Sequence, residues 1–196
     1  MMLQFLVWLI FSCILMSFIE HQVHARLMHR RFFLADKIAA LAKVYKNHAV
    51  NHHATYAFIF SDDPVPKGTD RGIRLNVKEG LYESIPFAAL LACLSWIAAI
   101  CFVSIVILHH CLWNLIHLEM HKPEQRFFSN WRVYKFLARH HMMHHKYPMR
   151  NFNVVFPIAD YVLGTAVKPG YAEKAEFYRM GLLPRQAAIK RVVHNA

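Results

Sequence analysis

The stretch IPFAALLACLSWIAAICFVSIVILHHCLWNLI, residues 85–116, decides the architecture. Only Ser95, Ser104, His109, His110 and Asn114 interrupt its apolar run. A helix rises ~1.5 Å per residue and a hydrocarbon core is ~30 Å thick, so ~20 residues cross it once. The block is too long for one ordinary span and short for two. Histidine-rich segments lie on both sides of it. If they share one site, the chain must return to the side it left. Two short or tilted spans, or a re-entrant hairpin turning near Trp96 to Ala99, are therefore expected. The turn carries no Gly or Pro, which leaves one long tilted helix as the competing picture.

Working outward, residues 1–19 (MMLQFLVWLIFSCILMSFI) form a second apolar block, interrupted by Gln4, Ser12 and Ser17. A cleaved signal peptide needs a basic start and a small-residue cleavage site. Met1 to Gln4 carries no charge, and Glu20, His21 and Gln22 do not resemble a cleavage site, so an uncleaved anchor is expected. Arg26, Arg30, Arg31, Lys37, Lys43 and Lys46 follow directly, and the positive-inside rule places that side in the cytoplasm. Residues 21–57 read as one or two amphipathic helices with Phe32, Phe33, Leu34, Ile38, Leu41 and Val44 on the apolar side. Residues 61–80 (SDDPVPKGTDRGIRLNVKEG) read as a polar loop. Residues 122–196 read as short helices and loops punctuated by Gly164, Pro169, Gly170, Gly181 and Pro184.

The expected fold is all-α and integral to the membrane, a single domain over 1–196. About three transmembrane or re-entrant helices would carry a cytosolic helical cap, with spans near 1–19 and 85–116 and cytosolic segments at 20–84 and 117–196. Composition agrees: 56% of residues are hydrophobic and 18% charged. The net charge of +11 suits an anionic membrane surface, and no nucleic-acid motif accompanies it. Cys13, Cys93, Cys101 and Cys111 sit in apolar runs without a C-x-x-C pair, as buried inert thiols.

Histidine is the outlier. Of 15 in the chain, 14 fall between His21 and His145. They form clusters at His24 and His29; His48, His52 and His53; His117 and His121; and His141, His144 and His145, with His140 adjoining. Residues three and four apart share a helix face. His48 with His52, His117 with His121, and His141 with His144 and His145 can each converge on one ion. His24 and His29 are five apart, about 140° around an ideal helix, so they reach different metals or the helix deforms. His21 and His194 read as ordinary histidines, and so do His109 and His110. Ten imidazoles exceed the four ligands of a tetrahedral zinc site and suit two metals with open positions.

The order HxxxxH, HxxxHH, HxxxH, HxxHH resembles the membrane fatty acid hydroxylase and sterol desaturase superfamily, and is similar to that of small bacterial carotenoid hydroxylases. The stretch His144-His145-Lys146-Tyr147-Pro148, Asn151-Phe152 and Phe156 to Thr165 resembles the family's segment after its last histidine box. The resemblance runs from about Glu20 to Thr165. It implies that His24, His29, His48, His52, His53, His117, His121, His141, His144 and His145 ligate two Fe ions that use O2 to oxidise a C–H bond of a lipid; zinc also takes imidazole. The second cluster departs from the family's more usual HxxHH, which bears on His48. The segment KPEQRFFSNWR, 122–132, is additional, and His140 competes with His141 for one place.

Hydroxylation of a fatty acyl chain, sterol or carotenoid is the expected activity. Desaturation on the same scaffold, or non-catalytic metal binding or transport, are the alternatives. Glu20, Asn51, Asn114, Glu119 and Asp160 are candidates to orient the imidazoles, with Asp160 also suited to organising a loop. No haem, flavin or nicotinamide motif is present, so electrons would come from an external donor such as cytochrome b5 or a ferredoxin system. The basic tail (Lys168, Lys174, Arg179, Arg185, Lys190, Arg191) would dock that carrier or rest on lipid headgroups. The apolar side chains of Phe87 to Trp113 line a lipid path or face the bilayer, and no substrate residue is assigned among them.

Overall fold

The computed structural model describes residues 2–31, 37–56 and 74–184. Every described element is helical. The helices are α1 (Met2–Gln22), running on as a π-helical segment Val23–Met28; α2 (Ala39–Tyr45), running on as a second π segment Lys46–His52; and α3 (His53–Thr55). They are followed by α4 (Val77–Leu94), α5 (Trp96–His121), α6 (Arg132–Lys146), α7 (Ile158–Val162) and α8 (Tyr171–Arg179).

The block at 85–116 divides at one residue. Ser95 is extended (φ −165°, ψ 129°) between α4 and α5, at the near edge of the expected turn. No Gly or Pro is needed, because a single extended serine reverses the chain. Gly80 packs on His110, and the Phe87 and Phe102 rings lie 6.2 Å apart, so α4 runs antiparallel to α5. The Phe5 carbonyl faces Cys101 while Glu20 faces His109, so α1 runs parallel to α5. Both therefore carry their C-terminal ends to the same end of the molecule.

Met2–Met28 and Trp96–His121 are long and apolar enough to cross a membrane. Met2, Leu3, Val7 and Ile10 of α1 are exposed, as suits a lipid-facing surface. Helix α4 is not of this kind, because its first turns carry Lys78, Glu79 and Glu83. The expected loop at 61–80 accordingly ends early: Asn76 caps α4 by accepting from Lys78 N–H (3.0 Å), with Glu79 in the first turn. Residues 61–73 of that loop, residue 57 of the expected 21–57 helical segment, Phe32, Phe33 and Leu34, and Arg185, Lys190, Arg191 and His194 lie outside the described residues.

Two apolar clusters hold the fold. Met16, Leu91, Ala98, Phe102, Ile105 and Val106 join α1, α4 and α5. Trp113, Met120, Tyr134, Leu137, Met142, Val154 and Phe177 join the end of α5 to α6, α8 and the 151–156 segment. His117, His121, His141 and His145 are interleaved along α5 and α6 with the residues of the second cluster.

Candidate metal centre

The last two turns of α5 present His117 and His121 on one face, with their Nε2 atoms 3.2 Å apart. Helix α6 presents His141 and His145 at the same spacing, with Nε2 atoms 3.0 Å apart. The two helices bring His121 Nε2 to 3.0 Å from His141 Nε2, and the second π segment adds His52 at 3.2 Å from His145. These five residues, all buried, offer ligand atoms within 4.8 Å of one another.

A second group lies alongside. His24, His29, His48 and His144 also offer nitrogens within 4.8 Å of one another. His24 Nε2 is 2.8 Å from His48 Nε2, and His29 Nε2 is 3.1 Å from His144 Nε2. His144 and His145 are sequence neighbours, yet each serves a different group, so the groups adjoin. His53 stands between them, its Nε2 3.1 Å from His144 Nε2 and its ring stacked on His145 at 4.4 Å. All ten histidines singled out from the sequence thus converge.

Two π segments make the convergence possible. A π turn bonds i to i+5, so residues five apart return towards one face. His24 and His29 would diverge on an α-helix; within and beside Val23–Met28 their rings lie 5.1 Å apart. The segment Lys46–His52 likewise absorbs the additional residue of the HxxxHH cluster, which places His48 and His52 in different groups.

The donors fit a cation. Two nitrogens each ~2.1 Å from one ion and at right angles are ~3.0 Å apart, and the observed separations are 2.8 to 3.2 Å. The Phe152 carbonyl accepts from His24 Nδ1–H, and the Arg150 carbonyl accepts from His144 Nδ1–H (2.8 Å). Those protons leave both Nε2 lone pairs free to ligate. Burial, helped by neighbouring imidazoles, holds His48, His52, His141 and His144 well below the ordinary histidine value. Burial pushes His29 down to about 3 and His53 to about 4. Neutral imidazole is the ligating form. Neither group contains a thiolate or carboxylate, and all-imidazole sets suit Fe, Zn, Cu or Ni.

No family model, curated protein or solved structure matches this chain. The centre therefore stands on its own geometry.

The orienting network centres on Asp160. Its fully buried carboxylate accepts from Phe152 N–H (2.9 Å), Asn153 N–H (2.7 Å), the Thr165 hydroxyl (2.6 Å) and His140 Nε2–H (2.9 Å). It organises the loop whose carbonyls orient His24 and His144. His140 is thereby placed beside Asp160, and His141 holds the place in the centre. Glu20 accepts from Val154 N–H (2.7 Å) and Asn153 Nδ2–H (3.0 Å), tying α1 to the same loop. Glu119 accepts from the Ser129 hydroxyl, Glu124 N–H and Arg126, which folds the additional 122–132 segment against the end of α5. Asn114 exchanges two hydrogen bonds with the Leu75 backbone, fixing the approach to α4 rather than an imidazole. Asn51 is exposed and plays no part in the centre.

A cavity of about 450 Å³ opens between α1, α4 and α5. Met16, Ile19, Phe87, Phe102 and Val106 line one part, and it reaches His24 and Trp113, whose ring packs on His117 at 3.9 Å. An apolar chamber thus touches His24 of the four-histidine group and is separated from His117 of the five-histidine group by the Trp113 ring. The sequence offered no signal for it beyond the apolar stripe of Phe87 to Trp113, nor for the carbonyls of Arg150 and Phe152.

Proposed function

We propose that this chain is a membrane lipid hydroxylase that uses O2 at two histidine-held iron ions. The observation that carries the reading is the convergence of nine imidazoles into two adjoining groups, with His53 as a tenth between them, beside a cavity that is mostly apolar.

His52, His117, His121, His141 and His145 would hold one ion. His24, His29, His48 and His144 would hold the other, with His53 between them. Iron bound there supplies the oxidation of an unactivated C–H bond. The balance is R–H + O2 + two electrons + two protons giving R–OH + H2O, and the electrons come from an external carrier of the cytochrome b5 or ferredoxin class. The protein's own residues hold the imidazoles neutral, aim them through Phe152 and Arg150, and exclude water by packing Trp113 and Phe152 against them. Helices α1 and α5 would cross the bilayer with α4 as the hairpin partner of α5. Arg26, Arg30, Arg31, Lys37, Lys43 and Lys46 would set the histidine end on the cytoplasmic side.

A transport role fits less well. Glu119 is engaged in structural hydrogen bonds away from the cavity, and Glu20, the acidic residue of α1, reaches the cavity wall while held by Val154 N–H and Asn153, so the two long apolar helices offer no row of free carboxylates for an ion path. Lipid mass spectrometry of cells with and without the chain, supplied with a donor system, tests the reading. A lipid gaining one oxygen is expected. A lipid losing two hydrogens would make the enzyme a desaturase, and no lipid change with bound iron would reject oxidation.

A further inference from the structure

The cavity is not uniformly apolar. At the level of His109 and His110 it carries a collar of polar groups. Glu20 faces His109 within it, Gly80 of α4 packs on His110, and the exposed side chains of Glu79 and Glu83 line its wall from α4 where it opens to the surface. Among the described residues lining it there is no Lys or Arg, although the chain has 23 Lys and Arg against 12 Asp and Glu. A basic protein has thus given its chamber only acidic charges.

The collar is rich in acceptors. His110 Nδ1–H donates to the Val106 carbonyl (2.8 Å), so in the neutral ring Nε2 keeps its lone pair. Gly80 makes room for that nitrogen, since a Cβ there would lie 2.1 Å from it. Glu79 and Glu83, four residues apart on α4, have no ion-pair partner among the described residues. His109 is 1% exposed, lines the cavity, and makes no hydrogen bond through Nδ1. Partial desolvation against the cavity wall and the neighbouring Glu79 push the exposed Glu83 above the ordinary carboxyl value.

We infer that the substrate is a lipid whose polar group donates hydrogen bonds, an amine or a hydroxyl, and that lipids ending in a carboxylate or phosphate are excluded. The inference rests on the proposed lipid oxidation and names its substrate class. The polar group sits in the collar, one turn from His24 along α1 and two turns from His117 along α5. The oxidised carbon therefore lies within roughly 12 Å of that group, by helix rise. The unpaired carboxylates repel an anion, and that repulsion sets the discrimination.

The test uses full-length protein in nanodiscs and three photoactivatable alkyl diazirines of equal chain length, ending in an amine, an alcohol and a carboxylate. Saturable labelling of peptides covering 76–87 and 102–113 by the amine and alcohol is expected, at least about tenfold stronger than by the carboxylate. Glu79→Gln with Glu83→Gln should reduce labelling by the amine and spare the alcohol if the natural group is a cation. Loss of both, with iron retained, assigns the carboxylates to a hydroxyl. Glu83→Lys should turn the preference towards the carboxylate. Equal or stronger labelling by the carboxylate in the wild type, or labelling that maps outside the cavity, overturns the inference. Iron content of the same samples separates the failures: a labelled cavity without iron rejects the oxidase reading, and iron with indifferent labelling rejects only this one.

Discussion

His24 Nε2 and His48 Nε2 lie 2.8 Å apart although 24 residues separate them, and His24 is aimed from behind by the Phe152 carbonyl, 128 residues further on. Three distant segments thus fix one edge of a metal-sized space. Neutral imidazoles with their lone pairs directed inward gain little by facing one another; a cation makes the arrangement favourable.

Asp160 is the strut behind this edge. Asp160→Ala leaves Phe152 N–H, Asn153 N–H and His140 without their acceptor, and should cost about 2–4 kcal/mol of stability. It should also weaken metal binding by about 10- to 100-fold, since the loop carbonyls lose their placement. Thermal melting and iron titration check both, and Asp160→Asn should fall between the wild type and Ala.

Stability of metal-stripped protein should fall as pH is lowered. His29 at about 3 and His53 at about 4 lie below the ordinary 6.5. Between those values the unfolded chain binds more protons than the folded one, so acid favours unfolding. The loss should begin near about pH 6.5 and grow down to about pH 4. Melting of chelator-treated protein across that range checks it. A flat or rising melting temperature would contradict it.

Gly80 sits where α4 crosses α5 against His110. Gly80→Ala should destabilise by about 1–3 kcal/mol through overpacking. Adding His110→Ala should recover most of that loss, because the two side chains compete for one space. A double-mutant cycle on melting or denaturant unfolding reads the coupling.

Much of the centre was legible because helical spacing is a local property. His117 with His121 and His141 with His145 are four apart, and both pairs meet as expected. The division of the 85–116 block was legible only from the need for the histidine segments to meet, since Ser95 has no turn signature. The π segments were not legible. Their wider winding is imposed by tertiary contacts that draw His29 and His48 inward, and no local residue type encodes it. The choice of His141 over His140 depended on Asp160, which lies 20 residues away from His140 and acts only through the folded loop.

Metal stoichiometry of anaerobically purified protein tests the central claim most directly. About two iron ions per chain are expected in the wild type. His24→Ala should lose the ion of the four-histidine group, and His121→Ala the ion of the five-histidine group, each leaving about one ion per chain. Wild-type protein that holds no stoichiometric metal after reconstitution with ferrous iron, or either substitution leaving both ions in place, would contradict it.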